Sequence, residues 1–250
     1  MSGHSKWHSI KHKKAKVDAA RGKVFTKIIK ELTVAARVGG GDVAMNPRLR
    51  GAVSSAKSAN MPSKNIENAI KKGTGEMPGV VYEDIVYEGY GPAGVAVYMD
   101  AVTDNKNRTV AEIRFMLSKA GGNLGENGSV AWMFERKGMI TVIKENHSEE
   151  ELFELAIECG AEDMETNDDS FLIISSFEDF NQVQEDLESK NIDVQTAELT
   201  MIPKNTIQIE GKEAEQLMKL MTQIDDHDDI QNVYANFDIS DDEMERILSE

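Results

Sequence analysis

The chain has 250 residues, of which 40% are hydrophobic, and a formal net charge of −16. That length allows one to three domains with a buried core, and no stretch approaches the roughly 18–20 consecutive apolar residues of a membrane span. The N-terminus lacks the apolar run of a signal peptide and the single Cys159 cannot form an internal disulfide, so a cytoplasmic protein with no membrane partner is predicted.

Charge is distributed very unevenly along the chain. Residues 1–75 contain sixteen lysines and arginines and four acidic residues, a net charge of +12, whereas the remainder carries −28. A basic surface attracts phosphate while an acidic body repels it, so the two parts would orient the molecule on a polyanion. Basic segments can also be merely solvated, but so large an excess over one continuous stretch favours nucleic-acid binding.

Residues 1–16 combine many like charges with little apolar periodicity, which predicts a flexible arm in the unbound protein. Trp7 lies in this arm, where its indole either stacks on a base or packs against the helical part. The histidines at positions 4, 8 and 12 would share one helical face, but the surrounding lysines repel a cation, so no metal site is predicted.

Three helices are predicted after the arm. Apolar residues at i, i+3, i+4 and i+7 predict the first from about Asp18 to Val38, with its lysines on the opposite, solvated face. Asn46-Pro47 predicts the start of the second, and Pro62 and Gly73 the two ends of the third. Nucleic-acid contacts are predicted at fifteen residues of this domain: Lys6, Trp7, Lys11, Lys13, Lys14, Lys16, Lys23, Lys27, Lys30, Arg48, Arg50, Lys57, Lys64, Lys71 and Lys72.

The acidic part begins after a glycine-containing linker at residues 73–79. Strands are predicted at Val80–Tyr87 and Val95–Thr103, on either side of a Gly89–Gly94 segment that fits the G-x-G-x-x-G pattern of dinucleotide-binding folds. That fingerprint must open a helix, whereas here a strand follows and Pro92 lies inside the loop. A β-hairpin connection is therefore predicted.

A helix at Asn107–Ala120, a mobile glycine loop at Gly121–Gly128 and a strand at Ser129–Phe134 are predicted next. The loop lacks the Lys-Ser/Thr pair of a phosphate-binding P-loop, so nucleotide hydrolysis is not predicted.

Residues 138–202 have the β-α-β-β-α-β order of a ferredoxin-like domain. Its strands are predicted at Met139–Lys144, Ala161–Thr166, Ser170–Ser176 and Asp193–Ile202, and its helices at Glu149–Cys159 and Phe177–Ser189. A strand at Thr206–Glu210, a helix at Lys212–Gln223 and a strand at Ile230–Phe237 could then complete the sheet begun at Val80.

The predicted fold class is therefore α+β, with an N-terminal three-helix basic domain followed by two α/β domains. The predicted domains are residues 1–75, a middle α/β domain at residues 79–135 plus 203–240, and a ferredoxin-like domain at residues 136–202 that is inserted into the middle one.

The sequence contains no G-x-S-x-G, C-x-x-C or H-E-x-x-H motif. Cys159 lies on the apolar side of a helix end, so it is predicted to be buried rather than nucleophilic. The acidic run Asp225–Asp229 could hold a metal, but its position between a helix and a strand favours a solvated loop. A protein without catalytic activity, cofactor, metal or small-molecule substrate is predicted.

The sequence also resembles the YebC/PmpR family over essentially its whole length. The resemblance is carried by Gly3-His4-Ser5-Lys6-Trp7, Ile10-Lys11-His12-Lys13-Lys14, Asp18, Arg21-Gly22-Lys23, Asn46-Pro47, Met61-Pro62, Tyr87-Glu88-Gly89-Tyr90-Gly91-Pro92, Asn105, Asn107-Arg108-Thr109, Gly121-Gly122-Asn123-Leu124-Gly125, Ser129-Val130-Ala131-Trp132-Met133-Phe134 and Asn232-Val233-Tyr234-Ala235-Asn236-Phe237.

This resemblance implies three domains, a cytoplasmic location and no enzymatic activity. Its bacterial members are described as probable DNA-binding transcriptional regulators, its mitochondrial relatives activate translation of cytochrome oxidase subunit I, and some bacterial relatives act on ribosomes stalled at proline runs. A DNA-binding transcriptional regulator is the leading hypothesis. The alternative is a ribosome-associated translation factor that relieves stalling and contacts ribosomal RNA, because lysines directed at phosphate do not distinguish the two polymers. An enzyme and a protein–protein adaptor rank third and fourth.

Overall fold

A computed structural model describes residues 21–144, 147–167 and 169–249. Within these ranges the chain forms eight helices: α1 (Arg21–Gly39), α2 (Pro47–Ser58), α3 (Ser63–Gly73), α4 (Lys106–Lys119), α5 (Glu149–Glu158), α6 (Phe180–Ser189), α7 (Gly211–Asp225) and α8 (Asp241–Ser249). None of the eight is both long and apolar enough to cross a membrane.

Ten strands accompany these helices in the same ranges. They are β1 (Glu83–Tyr90), β2 (Ala96–Thr103), β3 (Asn123–Leu124), β4 (Phe134–Ile143), β5 (Asp163–Thr166), β6 (Ser170–Ser176), β7 (Val194–Pro203), β8 (Ile207–Gln208), β9 (Ile230–Ala235) and β10 (Phe237–Asp238). Single 3-10 turns lie at Pro92–Gly94 and Ala131–Met133.

The first three helices form a unit in which α1 packs against both α2 and α3. Buried Leu32 and Ala36 of α1 meet the apolar faces of its partners. Asn46 is the N-cap of α2, and its amide also donates to the carbonyl oxygens of Ala35 and Gly40, which ties α2 to the end of α1. The predicted three-helix unit and the predicted starts of α2 and α3 are confirmed.

The second unit is built on an antiparallel sheet with the strand order β3-β1-β2-β9. β1 and β2 pair along their whole length, so the Gly89–Gly94 segment connects a hairpin, as predicted. Helices α4 and α7 contribute Leu117, Leu217 and Met221 to the core against this sheet.

The third unit has four antiparallel strands in the order β5-β6-β4-β7, which is the ferredoxin-like arrangement. Residues of α5 and α6, among them Leu152 and Leu187, pack on Ile140 and Ile173 of the sheet. The chain enters this sheet through β4 and leaves it through β7, and β9 then pairs with β2 of the preceding unit. The predicted fold class is confirmed, while the domain limits themselves stay a prediction.

Three element predictions were wrong. Ser129–Phe134 is not a strand, because Ala131–Met133 forms a 3-10 turn and β4 begins only at Phe134. The glycine segment is not all loop, since Asn123–Leu124 pairs with β1. The strand predicted near Thr206 does not join the larger sheet; β8 pairs with β10 in parallel instead. Helix α8 was not predicted at all.

Candidate nucleic-acid interface

Helix α1 places Lys23, Lys27 and Lys30 on the side that faces the acidic loop at residues 225–229, which begins at the last residue of α7. The outermost pair is exposed, with Lys23 Nζ 3.7 Å from Asp226 Oδ1. Further along, Lys27 Nζ donates a hydrogen bond to the main-chain oxygen of Asp225. The basic face of α1 is therefore docked on the second unit of the molecule.

Lys30 and Asp229 form the buried centre of this contact. The exposed fraction is 6% for Lys30 and 1% for Asp229, and Lys30 Nζ lies 2.6 Å from Asp229 Oδ1. Asp229 also accepts hydrogen bonds from Arg108 and from the hydroxyl of Thr109, both at 2.7 Å. Burial alone would raise the pKa of Asp229, but the bonds from Arg108, Lys30 and Thr109 outweigh it and hold that pKa well below its ordinary value.

The prediction that this lysine face is solvated was wrong for Lys27 and Lys30, and the prediction that 225–229 is a solvated loop was wrong for Asp229. The reason is electrostatic, because desolvating a lysine is tolerated only where a carboxylate and further acceptors replace its water. A contact of these lysines with nucleic acid stays a prediction, and it would have to displace the carboxylates that now hold them.

Arg48 of α2 is also engaged within the molecule. Its guanidinium binds both oxygens of Glu31, at 2.6 and 2.9 Å, and both oxygens of Asp84 on β1, at 2.8 and 3.0 Å. The hydrogen bonds to Glu31 and then to Asp84 raise the pKa of Arg48 above its ordinary value. Arg48 thus links the three-helix unit to the sheet of the second unit.

Five predicted contact residues on α2 and α3 remain exposed: Arg50, Lys57, Lys64, Lys71 and Lys72. Arg50 donates to the carbonyl of Ala44, and within the described ranges none of the four lysines forms an ion pair. Arg37, in the last turn of α1, is also exposed and was not among the predicted contacts.

Helices α2 and α3 are joined by the four residues Ala59–Pro62. That length is found in the turns of helix-turn-helix motifs, in which the second helix carries the base-reading side chains. Among the exposed residues of α3 are Lys64, Asn65, Lys71 and Lys72. The exposed side chains of α2 and α3 therefore offer four lysines and a carboxamide to an approaching polyanion.

The arm residues predicted to contact nucleic acid lie outside the described residues: Lys6, Trp7, Lys11, Lys13, Lys14 and Lys16. The histidine triplet of the arm lies there too.

A cleft of about 840 Å³ is lined by residues of α1, α4 and the acidic loop. Five acidic residues line it beside three cationic ones, which does not suit a phosphate group. Glu112, His227 and Asp229 bring three possible metal-ligating atoms within 4.8 Å of one another. The oxygens of Asp229 are already occupied by its hydrogen bonds, and His227 Nε2 lies 2.8 Å from Glu112, so an ion would have to break these contacts.

The glycine loop is anchored by Glu88 of β1. The buried carboxylate of Glu88 accepts hydrogen bonds from the N–H groups of Gly128, Val130 and Ala131 at 2.6–2.8 Å, and its carbonyl accepts one from Gly125. Burial alone would raise the pKa of Glu88, but the three N–H groups lower it. Glycine content predicts mobility here, whereas these bonds restrain the second half of the loop.

Two family models match the chain. The model described as "TACO1/YebC protein N-terminal domain" matches residues 5–76, and the one described as "TACO1/YebC second and third domain" matches residues 82–237. Together they span all three units.

Individual proteins are similar over nearly the whole length. A probable transcriptional regulatory protein of Desulforapulum autotrophicum is 57% identical over 241 residues, which cover 96% of this chain and 98% of the relative. One of Natranaerobius thermophilus, with the same description, is 57% identical over 248 residues, 98% of this chain and 99% of the relative. The crystal structure of a conserved hypothetical protein from Aquifex aeolicus superposes with a TM-score of 0.82 at 49% identity, covering 91% of this chain and 94% of that one.

Proposed function

Because the chain belongs to the TACO1/YebC family, we propose that it is a nucleic-acid-binding regulator of gene expression that acts on DNA as a transcriptional regulator. The observation that carries this proposal is the segregation of charge, with +12 on residues 1–75 and −28 on the remainder. Such a distribution presents the three-helix unit to a polyanion and turns the acidic units away from it. The relatives named probable transcriptional regulatory protein support the same proposal.

The contact surface proposed here is the exposed face of α2 and α3 together with the lysines of the arm. Four exposed lysines can approach phosphate without first breaking an ion pair with a carboxylate of the described residues: Lys57, Lys64, Lys71 and Lys72. Lys30 and Arg48, by contrast, would have to give up bonds that connect two units of the protein. We assign these two residues to the interface within the molecule and the exposed lysines to the polymer.

The second candidate function is that of a ribosome-associated translation factor that contacts ribosomal RNA. It is favoured by the residue types of the exposed face, where four lysines accompany a single predicted arginine, Arg50. Lysine is a point charge that suits phosphate, whereas guanine is read mainly by bidentate arginine. Contacts to the phosphate backbone that do not read the bases are as compatible with folded RNA as with promoter DNA.

The first test is sedimentation of a lysate that contains the full-length chain on a sucrose gradient after DNase treatment. Co-migration with ribosomal particles would assign the protein to translation and contradict the transcriptional proposal. Protein that stays at the top of the gradient and is enriched at promoters in a crosslinking experiment would support it. We expect no catalytic turnover, no cofactor requirement and a cytoplasmic location in either case.

A direct binding assay supplies the physical test of both candidates. If five to eight phosphates are neutralised, the logarithm of the association constant should fall with the logarithm of salt concentration with a slope of about −4 to −7. A salt-independent affinity would contradict any proposal based on the basic segment and would favour a protein–protein adaptor.

A further inference from the structure

Trp132 is unusually exposed for a tryptophan, with 65% of the residue accessible to solvent. It lies in the 3-10 turn Ala131–Met133, between Val130 and Phe134, which are both buried. A tryptophan that enters a core removes roughly 150–250 Å² from water, and this one does not. The residues on both sides of Trp132 are therefore fixed in the core, while the indole ring itself remains exposed to solvent.

The ring is also held in position by the sheet. Its Nε1 donates a hydrogen bond to the carbonyl oxygen of Ser129, 3.1 Å away, and the hydroxyl of Tyr90 donates to the same oxygen at 3.1 Å. The neighbouring N–H groups of Val130 and Ala131 are held by Glu88. Tyr90 and Glu88 both belong to β1, so these hydrogen bonds fix the position of the indole relative to that strand. A contact group that is fixed before binding loses less conformational entropy when it binds a ligand.

The surroundings fit a flat, uncharged ligand group better than a protein partner. A protein interface requires a contiguous apolar patch with a buried centre, and the two neighbours of Trp132 in the turn, Ala131 and Met133, are half-buried against the core and add little apolar surface to it. Lys204, which is exposed, lies next to the turn because its N–H donates to the carbonyl of Met133. An exposed aromatic ring that is held in a fixed position is typical of sites where a base stacks.

We propose that Trp132 is a stacking platform for an unpaired base of the nucleic acid. The inference rests on the proposed function and makes it more specific, because a base inside a duplex is already stacked on both faces. One unpaired base would then reach the Ala131–Met133 turn of the second unit, while the lysines of α2 and α3 hold phosphates and the acidic surface keeps the rest of the polymer away. Stacking does not depend on charge, so it can operate on a body that is acidic as a whole.

Fluorescence provides a direct test, because the chain has only two tryptophans, Trp7 and Trp132. In the full-length Trp7→Phe variant all indole emission comes from Trp132. Titration with a 20-nucleotide single strand should quench this emission in step with the binding isotherm measured by anisotropy of a labelled strand. A polyphosphate of similar charge should bind without quenching, and a duplex of the same length should quench much less.

Substitution gives the second readout. Trp132→Ala should weaken single-strand binding by about 5- to 150-fold, the equivalent of the roughly 1–3 kcal/mol per stacked base, and leave polyphosphate binding unchanged. Trp132→Phe should retain most of the affinity. Phe153→Ala is the control, because Phe153 is an exposed aromatic residue of α5, a helix whose first turn is acidic, and its loss should not affect binding.

The outcomes separate the inference from the proposed function. Binding without quenching, together with unchanged affinity of Trp132→Ala, would overturn the stacking platform and leave the nucleic-acid proposal standing. Absence of binding to every nucleic acid would overturn both. If Trp132→Ala lost only the association with intact ribosomes, while its affinity for oligonucleotides was unchanged and the Trp7→Phe variant showed no quenching, Trp132 would belong to a protein contact and the stacking proposal would be wrong.

Discussion

The ammonium group of Lys30 lies 2.6 Å from the carboxylate of Asp229, in an ion pair that is buried between two units of the chain and spans 199 residues of sequence. Lys30 belongs to the three-helix unit, and Asp229 precedes the strand β9. Together with the ion pair between Arg48 and Asp84, this pair fixes how the three-helix unit is positioned on the second unit. Three of the predicted nucleic-acid contacts, Lys27, Lys30 and Arg48, therefore bind within the protein itself, and Lys23 adds an exposed ion pair with Asp226.

Replacing Lys30 with Ala should lower the free energy of unfolding by about 3–5 kcal/mol, because one partner of a buried ion pair is left without its counter-charge. Lys64→Ala is the control, since Lys64 is exposed on α3 and its loss should cost less than about 0.5 kcal/mol. Denaturant unfolding of both variants measures the difference. Equal midpoints for the two variants would show that the pair contributes nothing to stability.

Because of Asp229, the free energy of unfolding should depend on pH in the acidic range. Its pKa is lowered in the folded protein, so its contribution is fully present above the pKa of the unfolded state, about 3.9, and is lost as pH falls below that value. The wild-type free energy of unfolding should therefore decline below about pH 4–5. Asp229→Asn should be less stable at pH 7 and should decline less steeply with acid. Parallel pH profiles for the two proteins would contradict this assignment.

Charge reversal should reveal where the polymer binds. Lys64 and Lys71 are seven residues apart on α3, and Lys212 and Lys219 are seven residues apart on α7; all four are exposed. Changing either pair to Glu alters the net charge equally, but only the α3 pair should weaken binding, by about tenfold or more and with a smaller salt slope. Neither pair should shift the unfolding midpoint appreciably. Equal weakening by the two pairs would mean that net charge, not this face, determines affinity.

Glu88 should be required for the order of the glycine loop. Glu88→Gln replaces an ion that accepts three N–H bonds with an amide that carries only one acceptor oxygen, and each buried N–H group left without a partner costs about 1–3 kcal/mol. The variant should be less stable, and amide exchange at Gly128, Val130 and Ala131 should be faster. Glu126→Gln, an exposed change within the loop, is the control. Unchanged exchange at all three amides would contradict the anchoring role.

Local patterns in the sequence determined much of the architecture. The apolar spacing of α1, the Asn46-Pro47 start of α2 and the strand–helix order of the ferredoxin-like unit act between residues that are close along the chain. Periodicity and capping therefore predicted these elements within a few residues. The same holds for the segregation of charge, which is a property of composition and needs no coordinates to be seen.

Only the tertiary structure decided which charged side chains remain exposed and can contact a binding partner. Lys57 and Lys30 are equally basic in the sequence, yet one is exposed and the other is buried against Asp229. Nothing local to α1 indicates an acidic partner about 200 residues away, because the pair forms only when two separate units pack together. The anchoring of the glycine loop by Glu88, and with it the exposure of Trp132, is decided in the same way. Sequence pattern reports the character of a helix face, whereas the desolvation of that face depends on what packs against it.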